Sequence, residues 1–244
     1  MKNTMLIFLS FSLLLQLSVN SCNGNTEPRI LIFAKTQGFY HTSIPKGMAT
    51  IMNICKENGI IADTSRNASV FTFENLKQYK AVVFLNTTGD ILNPLQQDAF
   101  EKYIQAGGGF VGIHAATDTE YDWPWYNKLV GAYFLSHPPA QQSAVIKVVN
   151  RSHPSTRFLP EQWTRTDEWY NFKNISPDLE VLAYLDESSY KGGENGQNHP
   201  FIWCHEFDGG RAFYTGAGHR DDNYDEPLFQ KHLLGAIQWA GKIK

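Results

Sequence analysis

The 244-residue sequence has little of several things that commonly announce a function. It holds three cysteines, at positions 22, 55 and 204, too few for a disulfide framework and without the C-x-x-C spacing of a zinc or dithiol site. It has no run of lysine or arginine. With 21 basic against 24 acidic residues and a net charge of −3, it offers no clustered basic face, so nucleic acid is not an expected partner. No internal repeat, low-complexity tract or Pro/Gly-rich linker divides the chain, and no H-E-x-x-H marks a local zinc motif. What remains is 42% hydrophobic and 14% aromatic, enough for one sizeable core whose default partner is a small soluble ligand.

The longest apolar run, Met5 to Val19, follows Lys2 and is too short for a membrane-spanning helix; it reads as the h-region of a signal peptide. The segment Leu17-Ser18-Val19-Asn20-Ser21-Cys22 resembles a bacterial lipobox, with Asn20 a looser fit than the usual small residue. That resemblance implies a lipoprotein signal peptide over residues 1–21, lipidation of the Cys22 thiol, and attachment to the cell envelope facing the periplasm or exterior. An ordinary secretory signal is the alternative. Residues 22–28 then form a polar tether, and residues 29–244 form one domain. Cys55 and Cys204 fall in an apolar helix and strand and read as small core residues.

Within the domain, Arg29 to Lys35, Lys80 to Leu85 and Phe110 to Ile113 are continuous apolar runs, the pattern of strands buried on both faces. Pro45 to Asn58, Phe73 to Tyr79 and Pro94 to Ala106 read as helices between them, with Ile60 to Asp63 as a further strand. The alternation predicts an α/β fold with a doubly wound, mainly parallel sheet flanked by helices. Later, Ala144 to Val149 and Leu179 to Leu185 are strands. Phe201 to Phe207 and Arg211 to Thr215 form a hairpin around Asp208-Gly209-Gly210, and Asp225 to Trp239 is a closing helix. The long connections between them are rich in aromatics and histidines, as functional loops are.

Ligands of open α/β sheets bind beyond the carboxyl ends of the strands. That edge would receive Gln37, Tyr40 and His41 after the first strand, Asn86 to Asp90 after the third, His114 and Asp118 after the fourth, and His219 after the last. Gly112-Ile113-His114-Ala115-Ala116 has the layout of a nucleophile elbow. It is similar to the elbow of the class I glutamine amidotransferase-like (flavodoxin-like) fold, except that histidine stands where those enzymes carry cysteine. Thioester chemistry from glutamine is therefore not expected.

Across almost the whole domain the sequence resembles the ThuA-like, or trehalose-utilisation, family. The likeness is carried in order by Phe39-Tyr-His41-Thr-Ser-Ile-Pro45, Asn86-Thr-Thr-Gly-Asp90, Gly107-Gly-Gly-Phe-Val-Gly-Ile-His114, Trp125-Tyr126, His137-Pro138 and His153-Pro154. It continues through Asp167-Glu168-Trp169-Tyr170, His199-Pro200-Phe-Ile-Trp203 and Gly210-Arg-Ala-Phe-Tyr-Thr-Gly-Ala-Gly-His219 to Ile237-Gln-Trp239-Ala-Gly241. Trp169 departs from the pattern, where small residues also occur. The resemblance implies a role with trehalose or related disaccharides, including routes through 3-keto sugars.

Two functions follow: an exported acid–base enzyme on a glycoside or keto-sugar, or a non-catalytic sugar-binding lipoprotein using the same pocket. For the enzyme, His114, His219, Asp118 and Glu168 are the candidate catalytic groups, because imidazole titrates near neutral pH and carboxylates complement it. His41, Asp90, Tyr121, Trp125, His137, Asp167 and His199 are the candidate sugar contacts. Of the adjacent Asp167 and Glu168, one alone should face the site. No cofactor is required by any motif; a divalent metal held by His41, His114, His137, His219 and Asp118 is an alternative use of the same side chains.

Overall fold

The computed structural model describes residues 27–244; the expected signal segment and the Cys22 anchor lie outside them. The elements run β1 (Arg29–Phe33), α1 (Ile44–Glu57), β2 (Ile61–Ser65), α2 (Phe73–Leu76), β3 (Ala81–Leu85), α3 (Pro94–Gln105), β4 (Gly109–Ile113) and α4 (Pro124–Val130). Then come β5 (Tyr133–Ser136), β6 (Gln142–Val148), β7 (Gln162–Asp167), β8 (Asn171–Lys173), β9 (Glu180–Leu185), β10 (Pro200–Phe207), β11 (Gly210–Thr215) and α5 (Pro227–Ala240). Among the described residues no helix is long and apolar enough to cross a membrane.

Nine strands form one sheet in the order β2-β1-β3-β4-β11-β10-β9-β6-β7, while β5 and β8 pair separately. The first five are parallel neighbours. From β11 onward every pairing is antiparallel. The sheet is thus mixed, parallel on one side and antiparallel on the other. Two successive reversals restore direction, so β9 and β7 point the same way as the parallel strands and end at the same edge.

The apolar runs alternate inside themselves. Ile30 and Ile32 of β1, Val83 of β3 and Val111 of β4 face a core built with α1 and α5. Leu31, Phe33, Phe84 and Phe110 face the opposite core with α2, α3 and α4. Helices therefore cover both faces, which is why these strands carry no polar alternation. The starts of α1 and α3 follow local chemistry. Pro45 fits the first turn of α1, and Asn93 with Gln96 closes a reciprocal capping box on α3.

Three strands escape the sequence pattern. In β7, Gln-Trp-Thr-Arg-Thr-Asp, the inward positions are Trp163, Arg165 and Asp167, so two of the three buried side chains are charged and the usual hydrophobic alternation is missing. β5 and β8 are four and three residues long, too short for a period to register.

Candidate active site at the carboxyl edge

Four side chains from four separate strand ends meet at this edge. His41 sits in the loop after β1 and is 2% exposed; His114 directly follows β4 and is fully buried; His219 follows β11; Glu168 follows β7 directly. His114 adopts φ +47°, a left-handed conformation that a non-glycine residue holds only when its surroundings impose it. That sharp turn lifts its ring from the strand into the site.

The distances are short and mutual. His219 Nδ1 lies 3.1 Å from Glu168 Oε2 and 3.3 Å from His114 Nε2, and His114 Nε2 lies 3.4 Å from the same Oε2. The His41 ring meets those of His114 and His219 edge-on, at centroid distances of 5.0 and 5.1 Å. His114 Nδ1 donates to the Gly216 carbonyl at 3.0 Å, which leaves its Nε2 as the lone-pair nitrogen facing the cluster. Burial, reinforced by the neighbouring imidazoles, pushes His41 down to about 2, so its ring is neutral at physiological pH. Burial alone would raise Glu168, but the imidazoles of His114 and His219 beside it outweigh that and hold the carboxyl below the usual range. Among the described residues, these four have donor atoms within 4.8 Å of one another, the spacing a metal ion needs.

Behind the cluster lies a second carboxylate. Asp167 is fully buried; its Oδ1 accepts from the backbone N–H groups of Glu168 (3.0 Å) and His219 (3.2 Å), and its Oδ2 accepts from that of Gly218 (3.0 Å) and from the Asn223 amide. It thus ties the end of β7 to the loop after β11. Gly218 is at φ +117°, and its carbonyl accepts from Ser43, Asn86 and Tyr224. Ser43 precedes α1 without capping it because its hydroxyl is used there instead.

A chain that folds this way, with this cluster at this edge, matches the ThuA family model, described as trehalose utilisation, over residues 29–240. The chain belongs to the ThuA family. A ThuA-like protein from Bacteroides uniformis is 26% identical to it with a TM-score of 0.75, covering 88% of this chain and 91% of that one. One from Parabacteroides merdae is 20% identical with a TM-score of 0.74, covering 89% and 91%. A β-galactosidase from Bacillus circulans, 13% identical with a TM-score of 0.59, is matched over 90% of this chain but 32% of its own length, a likeness of fold alone. No curated protein matches the sequence.

The remaining sequence-derived candidates spread over this ThuA domain. His137 is at the mouth of the cluster, its Nδ1 3.5 Å from Glu168 Oε1 and donating to the Pro138 carbonyl at 2.8 Å. Asp118 is half-buried outside the four-donor group and accepts from the Tyr121 hydroxyl at 2.6 Å; burial raises its pKa. Asp167 faces away from any ligand, so of the two adjacent carboxylates Glu168 is the one in the site. His199 is fully buried with both ring nitrogens engaged, by Glu187 at 2.8 Å and the Tyr170 carbonyl at 2.9 Å, which leaves none for a sugar. Asp90 is exposed beside a different cleft, with Lys35 and Asn93. Trp125 donates to Asp208 in the β10–β11 turn, at the opposite end of the sheet, because β11 starts where β4 starts. The metal grouping read from sequence changes correspondingly: Glu168 takes the place of Asp118 and His137.

Sequence reasoning missed Tyr170, whose ring lies 4.2 Å from that of His114, and Arg165. The Arg165 guanidinium is stacked between Trp163 (4.5 Å) and Phe229 (4.6 Å), 3.8 Å from Asp167 and 3.6 Å from Glu226. The charged residue at an inward position of Gln162–Asp167 was the available signal.

Proposed function

We propose that this protein is an exported, lipid-anchored enzyme acting on a glycoside or keto-sugar, with a trehalose-like disaccharide as the substrate class. The observation that carries this reading is the meeting of His41, His114, Glu168 and His219 at the sheet edge. A recognition surface has little use for four titratable groups in mutual contact, two of them buried and two half-buried, which are costly to desolvate. A polar cleft of about 390 Å³, lined by Thr42, Gln141, His219, Arg220, Asp221 and Asp222, opens beside it and is of ligand size.

The roles follow from burial. His114, His219 and Glu168 line the place of the reacting sugar oxygen, and a protonated imidazole or a cation held among them would polarise it. Asp118, whose carboxyl is raised by burial, and the exposed His137 flank them and carry protons to and from the substrate. In a keto-sugar the carbonyl acidifies the adjacent C–H. A base at the mouth removes that proton, the electron pair is stabilised on the carbonyl oxygen, and a protonated group assists departure of the glycosidic oxygen.

The turn Gly112-Ile113-His114-Ala115-Ala116 supports a likeness to the elbow of class I glutamine amidotransferase-like proteins, with histidine in place of their cysteine, and glutaminase chemistry is not part of the proposal. Both described thiols, Cys55 and Cys204, are buried and pushed up to about 12, so neither supplies a thiolate.

The test is to incubate the mature, detergent-solubilised protein with trehalose and with its 3-keto derivative and follow monosaccharide release by chromatography. Turnover of either, lost in His114→Ala and slowed in Asp118→Asn, is the expected result. Binding without turnover of any glycoside or keto-sugar would make it a sugar-binding lipoprotein instead.

A further inference from the structure

Ligands around a tetrahedral transition-metal ion at about 2.0–2.1 Å stand roughly 3.3 Å from one another. His219 Nδ1, His114 Nε2 and Glu168 Oε2 form a triangle with sides of 3.1, 3.3 and 3.4 Å, which is the face of such a tetrahedron. His41 contributes a fourth donor atom within 4.8 Å of these three.

Hydrogen bonding alone leaves this arrangement unbalanced. The Nδ1 proton of His114 goes to Gly216, so its Nε2 presents a lone pair, and an ionised Glu168 oxygen only accepts. One proton on His219 Nδ1 can be directed at one of the two. The third contact, His114 Nε2 against Glu168 Oε2 at 3.4 Å, is lone pair against lone pair whichever it serves. His41 Nδ1, moreover, is buried with no hydrogen-bond partner at all, the cost of which is normally avoided.

We infer that His41, His114, His219 and Glu168 are the ligands of one resident divalent first-row transition-metal ion. Three neutral imidazoles and a carboxylate suit zinc, iron or nickel better than magnesium or calcium, which prefer all-oxygen shells. The surroundings are those of a metal site as well. The Gly216 carbonyl fixes the His114 tautomer, and Asp167 fixes the backbone of both Glu168 and His219. His137 and Asp118 lie outside the ligand set and stay free for proton transfer. The inference rests on the proposed function only for the use of the ion, as a Lewis acid toward a sugar oxygen, and not for its binding.

The mature protein is purified without added metal or chelator, and its metal content is measured by inductively coupled plasma mass spectrometry. It is then stripped with dipicolinate and titrated with Zn²⁺ against a chromogenic chelator, and separately loaded with Co²⁺ for its visible spectrum. The expected result is about one ion per chain and intense tetrahedral-type Co²⁺ bands. His114→Gln, Glu168→Gln and His41→Ala should abolish the bands. Asp167→Asn, which touches no ion, should weaken Zn²⁺ binding by about 10- to 100-fold. Circular dichroism identifies any variant that fails to fold, and the glutamine variants keep the volume of the originals. Wild-type protein that retains no Zn²⁺ or Co²⁺ after gel filtration, or folded ligand variants that bind as tightly as wild type, would overturn the inference. Bound metal without sugar turnover supports this site and removes the proposed function; full turnover after complete stripping does the reverse.

Discussion

On the parallel side of the sheet, chemistry hangs from the strand ends: His41, His114 and His219 each leave a strand, and all three are imidazoles. On the antiparallel side, the contribution is anionic and comes from a single outer strand, with Glu168 in the site and Asp167 behind it. The parallel side repeats one device three times. The antiparallel side supplies the single group that those three cannot, a negative charge, and holds its backbone with Asp167, which the buried Arg165 faces at 3.8 Å. Neither side is a site by itself, so an effect on either should be felt by both.

The largest effect should come from removing the anion. Glu168→Gln should lower sugar turnover by a factor on the order of 10² to 10⁴ with little change in the unfolding midpoint; a loss of less than tenfold would place the chemistry on the imidazole side alone. Next is the tie between the sides. Asp167→Asn leaves Arg165 without its one fully buried anionic neighbour and should cost about 3–5 kcal/mol in urea unfolding, a cost that Asp167→Asn combined with Arg165→Met should partly recover.

A third effect depends on pH. His153 and His232 pack around Phe213 of β11, and His232 also meets Trp163 of β7, so they join the two sides beneath the site. Burial, with Arg211 adding to it, pushes His153 down to about 4, and burial pushes His232 down to about 3. In the unfolded chain both titrate near 6.5. The unfolded state therefore takes up protons first. Stability is full above about pH 6.5 and falls as pH drops, until about 4 for His153 and about 3 for His232. Urea midpoints at pH 7 and pH 5 should differ by on the order of 1–3 kcal/mol, and His232→Phe should flatten the difference. Equal midpoints at the two pH values would remove these histidines as the acid-sensitive joint. The smallest effect is at Trp125. Trp125→Ala, at the far end of the sheet, should leave kcat and KM for the sugar at wild-type values, and a raised KM would bring that end into substrate binding.

The same contrast decides what the sequence made legible. Strands β1, β3 and β4 read directly, because burial on both faces makes them uninterrupted apolar runs, and the rule of carboxyl-edge binding then selects His41, His114 and His219. The antiparallel side gave less. Its outer strand buries Arg165 and Asp167 where a pattern search expects valine, so the direction of β7, and with it the choice between Asp167 and Glu168, was hidden. Trp125 and His199 looked like sugar contacts because an aromatic or histidine in a long loop carries no mark of which sheet edge it reaches. Their hydrogen bonds, to Asp208 and to Glu187 and Tyr170, are long-range facts.

The place of β11 has one more consequence, in the order of assembly. This strand pairs with β4, Arg211 against Gly109, so two neighbours in the sheet are separated by about a hundred residues of intervening chain. A growing chain lacks the middle of its own sheet until Gly210–Thr215 has been made, because β11 is the bridge by which the two sides become continuous. Slow, non-local closure of this kind leaves earlier strands open to wrong pairing in the meantime. It also means that His219, four residues past that bridge, joins the other three side chains only once β11 is in place. A polypeptide stopped short of β11 holds His41, His114 and Glu168 without His219, and the two sides of its sheet have no strand to join them.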